Sequence, residues 1–265
     1  MILITRPKEQ SKNLETKLNL KGLKTFSESL YKIKYFKTKV PYNKNNYYIF
    51  PSINSVQSLI NSKQIEKFRE ANILVIGKKV KQVLVSAGCK KIILTFIDSD
   101  ALVKKIQKTK FRDYNYIYLC SNIVNKDFFK KTKKHQINLQ TKIIYKTIPA
   151  IKFQKKLINN LKLGNICGAT FLSKLAAETF LELLSKYHFL DANININVYC
   201  ISHRVARPFK QKNFKFIHIA SSPNEDALIK SIKKIHFLWL YIKIFGLYYK
   251  NKYLKALWDI KKNIN

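Results

Sequence analysis

TFLSKLAAETFL occupies residues 170–181, and IFPSINSVQSLI occupies residues 49–60. Both follow the pattern F-x-S-x-x-S/A-V/A-x-x-L/F, so that Phe171, Ser173, Ala176 and Phe180 match Phe50, Ser52, Ser55 and Leu59. In each, an apolar run ends at a phenylalanine, a serine follows, and apolar residues then recur at helical spacing, which predicts a strand, a capping turn and a helix. Downstream lie ILVIGKKV (73–80) and VYCISHRV (198–205), again apolar runs that pass into a polar turn. Beyond them DALVKKI (100–106) and DALIKSI (226–232) are near-copies of one helix start. From Ser52 to Gly77 is 25 residues against 29 from Ser173 to Ser202, and from Gly77 to Asp100 is 23 against 24 from Ser202 to Asp226. Three matched features in one order imply two copies of a single α/β unit.

The rest of the chain fits this reading. YYIF (47–50), NILVIG (72–77), KKIILT (90–95) and YNYIYLC (114–120) read as strands, leading into helices near 53–68, 78–87, 99–109 and 124–133. ICGATF (166–171), INVYCI (196–201) and FKFIHIA (214–220) play the same parts in the second copy. Short apolar strands alternating with helices predict an α/β protein of two similar domains, each a parallel sheet flanked by helices. The opening segment is strand, turn, helix and a second strand, and it can supply the leading strands that the second copy lacks. The expected division is therefore residues 1–34 with 149–235 as one discontinuous domain and 38–143 as the other. Linkers are expected near 35–37 and 144–148, with a basic aromatic tail over 236–265.

Composition narrows the function. The formal net charge is +36 and the pI is about 10.0, which raises nucleic-acid binding. Yet 46 of the 51 basic residues are lysine. Phosphate and base readout favour arginine forks, so the lysine excess reads as solvated surface and no nucleic-acid partner is expected. The cysteines Cys89, Cys120, Cys167 and Cys200 form no CxxC pair and lie in apolar surroundings, as reduced cytoplasmic thiols do. The start MILITRPKEQ runs directly into a strand pattern, so no signal peptide is expected.

Several chemistries lack their motif. There is no GxxxxGK followed by Ser or Thr, no GxGxxG after a strand and no GxSxG, each of which has its own structural requirement. The five histidines show no metal-ligand spacing, and no metal or cofactor is expected. Only 15 residues are acidic, none of them paired in the turns, which disfavours carboxylate acid–base catalysis.

In open parallel sheets ligands bind beyond the carboxyl ends of the strands, where helix N-termini present amides. The turns expected there carry Thr5 and Arg6; Ser52, Ile53 and Asn54; Gly77; Cys120, Ser121 and Asn122; Ser173 and Lys174; and Ser202, His203 and Arg204. Small hydroxyl and amide residues cap helices while leaving backbone N–H groups exposed. Any one of them can be a cap and nothing more, but as a set they suit an anionic substrate.

With these residues in place, the chain resembles the uroporphyrinogen-III synthase family. The motifs that carry the resemblance are ILITRP, FPSINSVQSL, VIGKKVKQVLVSAG, YIYLCSN, IIYKTIP, FLSKLAAETFLELL, CISHRVA and SSPNEDALIKSI, taken in their order. The resemblance implies two α/β domains joined by a two-stranded linker with a cleft between them, and no cofactor. It implies hydroxymethylbilane as substrate, a linear tetrapyrrole whose rings carry carboxylates. The reaction so implied expels the terminal hydroxyl as water, closes the macrocycle and inverts the last ring through a spiro intermediate. Tyr145, in IIYKT, aligns with the tyrosine that the family places in the cleft to assist departure of the hydroxyl, although a half-buried linker aromatic reads equally well from the residues alone. Arg204 and Val205 stand where some relatives carry threonines, and Pro51 stands where threonine is frequent. A polyanionic substrate needs many donors and a positive field, which these turns offer. The alternative is a non-catalytic anion-binding sensor or regulator on the same duplicated fold. A monomer is expected.

The tail IHFLWLYIKIFGLYYKNKYLKALWDIKKNIN (235–265) has no counterpart in the first copy. Its longest uncharged stretch is too short to span a bilayer. A terminal helix packed back on its domain, or a partly disordered end, is the reading preferred over weak contact with an anionic membrane surface or docking on a partner.

Overall fold

The computed structural model describes residues 1–107, 114–124, 126–190 and 196–245, with 236–245 described as backbone. The chain divides into two compact units, one built from Met1–Tyr31 and the part from Pro149 onward, the other from Lys32–Ile148. In chain order, β1 (Ile2–Ile4), α1 (Lys8–Asn19) and β2 (Thr25–Ser27) open the first unit. Then come β3 (Tyr31–Tyr35), β4 (Tyr47–Phe50), α2 (Ile53–Asn61), a 3-10 turn (Ile65–Phe68), β5 (Asn72–Ile76) and α3 (Lys78–Ser86). The second unit continues through β6 (Ile92–Phe96), α4 (Ser99–Gln107), β7 (Tyr116–Ser121), α5 (Lys126–Lys134) and β8 (Leu139–Pro149). The first unit resumes with α6 (Lys155–Lys162), β9 (Gly168–Phe171), α7 (Lys174–Lys186), β10 (Asn197–Cys200), α8 (His203–Gln211), β11 (Ile217–Ile219) and α9 (Glu225–Phe245).

The first unit's sheet has the order β11-β10-β9-β1-β2, the second unit's the order β3-β8-β7-β4-β5-β6. Every neighbouring pair from β11 to β2 and from β8 to β6 is parallel. Set side by side, β9, β10 and β11 hold the places of β4, β5 and β6, while β1 and β2 hold the places of β7 and β8. The two units are thus one topology cut at different points. The strands that close the second unit in sequence are supplied in the first by the N-terminus.

Period-two geometry distributes each strand over two cores. In the second unit Tyr48, Phe50, Ile73, Val75 and Leu119 join the layer beneath α2 and α3. Their neighbours Ile49, Leu74, Tyr118 and Cys120 join the layer beneath α4 and α5. Burial on both faces is why the strands read as unbroken apolar runs.

The repeated DAL helix start has a structural explanation. Asp98 Oδ1 accepts from the Ala101 N–H at 2.8 Å, and Asn224 Oδ1 accepts from the Ala227 N–H at 2.9 Å, so both helices are capped alike. Asp100 then pairs with Lys131 of α5 and Asp226 with Lys17 of α1, each at 2.7 Å. Helices α5 and α1 occupy equivalent places, so one ion pair is made twice. Exposed pairs of this kind contribute little stability; the repeat records a common way of starting and seating a helix.

Two expectations change. The helix expected over 53–68 ends at Asn61, because Lys63 adopts a left-handed φ of 55°. Gln64 then turns inward, donating to the Thr38 carbonyl and accepting from the Val40 N–H. The DAL helix of the first unit runs on to Phe245, so the start of the expected tail continues α9, and residues 246–265 lie outside the described residues. Among the described residues no helix is long and apolar enough to cross a membrane.

A buried carboxyl gives the first unit a pH signature. Glu28 is 3% exposed. Its Oε1 accepts from the Gln154 N–H ahead of α6, and its Oε2 has no partner among the described residues. Burial pushes its pKa from 4.5 up to about 6, against the pull of the Gln154 amide. The folded chain therefore holds this proton more tightly than the unfolded chain, and stability falls as pH rises from about 4.5 through about 6. Glu28→Gln is expected to raise stability at pH 7 by roughly 1–2 kcal/mol and to flatten that slope. Urea denaturation at pH 4.5 and pH 7 checks this; an unchanged slope would show that Glu28 is not its source.

Candidate active site

All the strand-end residues singled out above lie at carboxyl ends of parallel strands, and they differ in how far their polar groups are already engaged within the fold. In the second unit Ser52 follows β4 and caps α2, its Oγ accepting from the Ser55 N–H at 3.3 Å. Ser173 does the same for α7, accepting from the Ala176 N–H at 3.2 Å. Ser202 precedes α8 in the same extended conformation, without a side-chain cap bond. Its carbonyl accepts from the Val205 and Ala206 N–H groups instead. The first amides of α2, α7 and α8 have no partner within their helices, and the helix dipole makes these ends electropositive. Ile53, Lys174, His203 and Arg204 sit in those first turns, exposed. Lys174 Nζ reaches Glu178 at 2.7 Å.

Four of the expected residues have groups that are engaged or buried within the fold. Thr5 is fully buried, and its hydroxyl donates to the Thr170 carbonyl at 2.7 Å across the β1–β9 pair. Arg6 is held by Glu225 at 2.9 Å, and Glu225 also accepts from Asn13. Gly77 has a φ of 99° that suits glycine, but its N–H is engaged by the Phe96 carbonyl at 2.8 Å. Cys120 faces the core under α4 and α5, where burial pushes its thiol up to about 11.

The residues that do come together surround Tyr145. Its phenol lies 2.9 Å from Ser52 Oγ. Because Ser52 Oγ already accepts from Ser55, its own hydrogen can go to the Tyr145 oxygen, leaving the phenol hydrogen available to a ligand. Burial raises the Tyr145 pKa above its usual value of 10.0, and the Ser52 hydrogen bond works in the opposite direction. The group is therefore a protonated donor at neutral pH.

Around it stand residues that the sequence did not mark. The Tyr35 ring packs at 6.5 Å and 51° to that of Tyr145, and its hydroxyl donates to Asn54 Oδ1 at 3.4 Å. Asn122 Oδ1 accepts from the Ser121 hydroxyl and from the Thr147 N–H, and the Ser121 and Thr147 hydroxyls are 3.1 Å apart. These bonds tie the ends of β7 and β8 together. Tyr35 shows in sequence only as one of the alternating apolar positions of YKIKY, and Thr147 has no signal at all. Among the described residues no group of three or more His, Cys, Asp or Glu could hold a metal ion.

In the second unit the start of α2 and a buried phenol thus lie side by side, free helix-start amides next to a proton donor. Comparisons with known proteins bear on the family and the fold. The family model described as "Uroporphyrinogen-III synthase HemD" matches residues 12–230. No curated protein matches the chain. Among solved structures, the uroporphyrinogen-III synthetase of Helicobacter pylori 26695 is 16% identical with a TM-score of 0.62, over 88% of this chain and 98% of that one. A mutant uroporphyrinogen III synthase of the extremely thermophilic bacterium Thermus thermophilus is 11% identical with a TM-score of 0.59, over the same shares. At these identities the solved structures speak for the fold, whereas the family model spans most of the sequence. The chain belongs to the uroporphyrinogen-III synthase family, cyclising hydro-lyases of tetrapyrrole biosynthesis.

Proposed function

We propose that this chain converts hydroxymethylbilane to uroporphyrinogen III, with Tyr145 as the proton donor to the departing hydroxyl. The observation that carries this reading is the Tyr145–Ser52 contact of 2.9 Å: a buried, protonated phenol seated on the N-cap of a helix at the carboxyl edge of a parallel sheet. The phenol hydrogen passes to the terminal hydroxyl as the C–O bond breaks, and the electron pair leaves with the oxygen as water. Ring closure at the substituted pyrrole carbon, followed by inversion of the last ring, releases a proton that restores the phenol. Proton transfer from a positioned side chain is worth about 10²–10⁴-fold, and the remainder of the acceleration comes from holding a flexible substrate folded.

In this reading the helix starts of each unit are suited to carboxylates: Ser52, Asn54 and Asn122 with the neighbouring amides in the second unit, and Ser173, Ser202 and His203 in the first, where Lys174 and Arg204 add positive charge. Ile53 offers an apolar contact to a pyrrole face. Thr5, Arg6, Gly77 and Cys120 act through the backbone path they hold, since their polar groups are already engaged or buried. The substrate is a small molecule and the compartment the cytoplasm, in keeping with four free cysteines.

The test supplies enzymatically generated hydroxymethylbilane, oxidises the products and separates the porphyrin isomers. Isomer III is expected in clear excess over a protein-free control. Isomer I alone, formed at the spontaneous rate, would leave the chain as an anion-binding member of its family without turnover.

A further inference from the structure

Tyr145 is buried because the strand that carries it slips by one residue. Along β8 the register with β7 runs evenly to Cys120 opposite Ile143, then shifts so that Ser121 faces Tyr145. Ile144 is the extra residue. Consecutive residues of a regular strand point to opposite faces, yet Ile144 and Tyr145 are both buried in the same layer beneath α2. A bulge of this kind re-aims one side chain and leaves a carbonyl outside the ladder.

That carbonyl is fully used. Ile144 O accepts from the Ser58 hydroxyl at 2.5 Å and from the Phe36 N–H at 3.0 Å. Ser58 is 1% exposed and sits on α2, the helix whose cap, Ser52, meets the Tyr145 phenol. One helix therefore grips the bulge at two points, the Ile144 carbonyl from within α2 and the Tyr145 hydroxyl from its start. A serine in a helix commonly bonds back to its own preceding turn, and alanine at such a site is the better helix former. Here the hydroxyl reaches across to the bulge instead.

We propose that Ser58 is a positioning residue for the reaction: by holding the Ile144 carbonyl it fixes the bulge, and through the bulge it aims the Tyr145 phenol at Ser52 and the substrate. This inference rests on the reading of Tyr145 given above. The test is a double-mutant cycle of Ser58→Ala and Tyr145→Phe on the whole chain, with kcat, KM and melting temperature measured for each variant. Ser58→Ala is expected to lower kcat about tenfold with KM nearly unchanged, and to have less than about a twofold effect once Tyr145 is phenylalanine. Its pH–rate profile should also shift on the alkaline side, where the phenol titrates. A serine that merely stabilises the fold would lower the melting temperature and depress both backgrounds by the same factor, which would overturn the proposal; an unchanged kcat in Ser58→Ala would do so as well. Full activity in Tyr145→Phe alone would instead remove the tyrosine reading, and this inference with it. If Ser58→Ala does not fold, Ser58→Cys, which keeps the volume and a weak donor, carries the same cycle.

Discussion

Tyr145→Phe is expected to reduce kcat about a hundredfold while KM stays within about threefold. The substitution removes one oxygen and leaves the ring, which packs against Tyr35 and remains among Ile144, Leu119 and Phe50 in the layer beneath α2. Fold and substrate binding should survive, and the loss should fall on the step that needs a proton. Product composition gives an independent readout, because substrate that escapes slow turnover closes spontaneously to isomer I. The pH dependence gives a third. Burial raises the phenol above its usual 10.0, so it stays protonated through the neutral range and the rate falls only when the pH climbs past that raised value. In Tyr145→Phe this alkaline limb should disappear. A variant that kept wild-type kcat and the wild-type isomer ratio would exclude Tyr145 from the chemistry.

Gly168→Val is expected to produce the largest loss of stability, and to do so without touching the site. Gly168 opens β9, paired on one side with Ile2 of β1 and on the other with Asn197 of β10. A Cβ there would lie 2.8 Å from the Tyr199 ring, 3.0 Å from Ile2 Cδ1 and 3.3 Å from the Asn197 carbonyl. Tyr199 and Ile2 are both 2% exposed, so neither has solvent to retreat into. Overpacking at such a point costs about 3 kcal/mol. For a chain of this size that corresponds to a fall in melting temperature of roughly 6–12 °C. Thermal melts followed by circular dichroism would measure it, and a shift under about 2 °C would show that the Tyr199 ring can move aside after all.

The strand-turn-helix order was legible for a definite reason. Strands buried on both faces carry apolar side chains at every position, as in NILVI of β5, and each ends at a residue that starts a helix. Ser52 and Ser173 announced themselves as caps because each follows a buried phenylalanine and precedes a helical period. Boundaries were less legible where a polar side chain turned inward. Gln64 is spelled like a surface residue in SKQ, yet it is buried and binds the 38–40 segment. Direction was the least legible property of the candidate site. Thr5 and Cys120 look like strand-end ligands in sequence. Which face each takes depends on strand parity, and with both faces buried the apolar pattern does not reveal parity.

The amino-acid sequence by itself determined the α/β class, the duplication, the helix caps and the family, because each is written in contiguous residues or in the order of motifs. Tertiary structure alone decided the order of the strands in each sheet, with β1 seated between β9 and β2 in the first unit. It also decided that Asp100 and Asp226 make the same ion pair in equivalent places. Above all, it decided where Tyr145 points. Its partner Ser52 is 93 residues away, and the Ile144 bulge that turns it inward depends on register between β7 and β8 and on a hydroxyl from α2. No local propensity encodes such a register; it is set when two strands and a helix pack together and every buried carbonyl must find a donor.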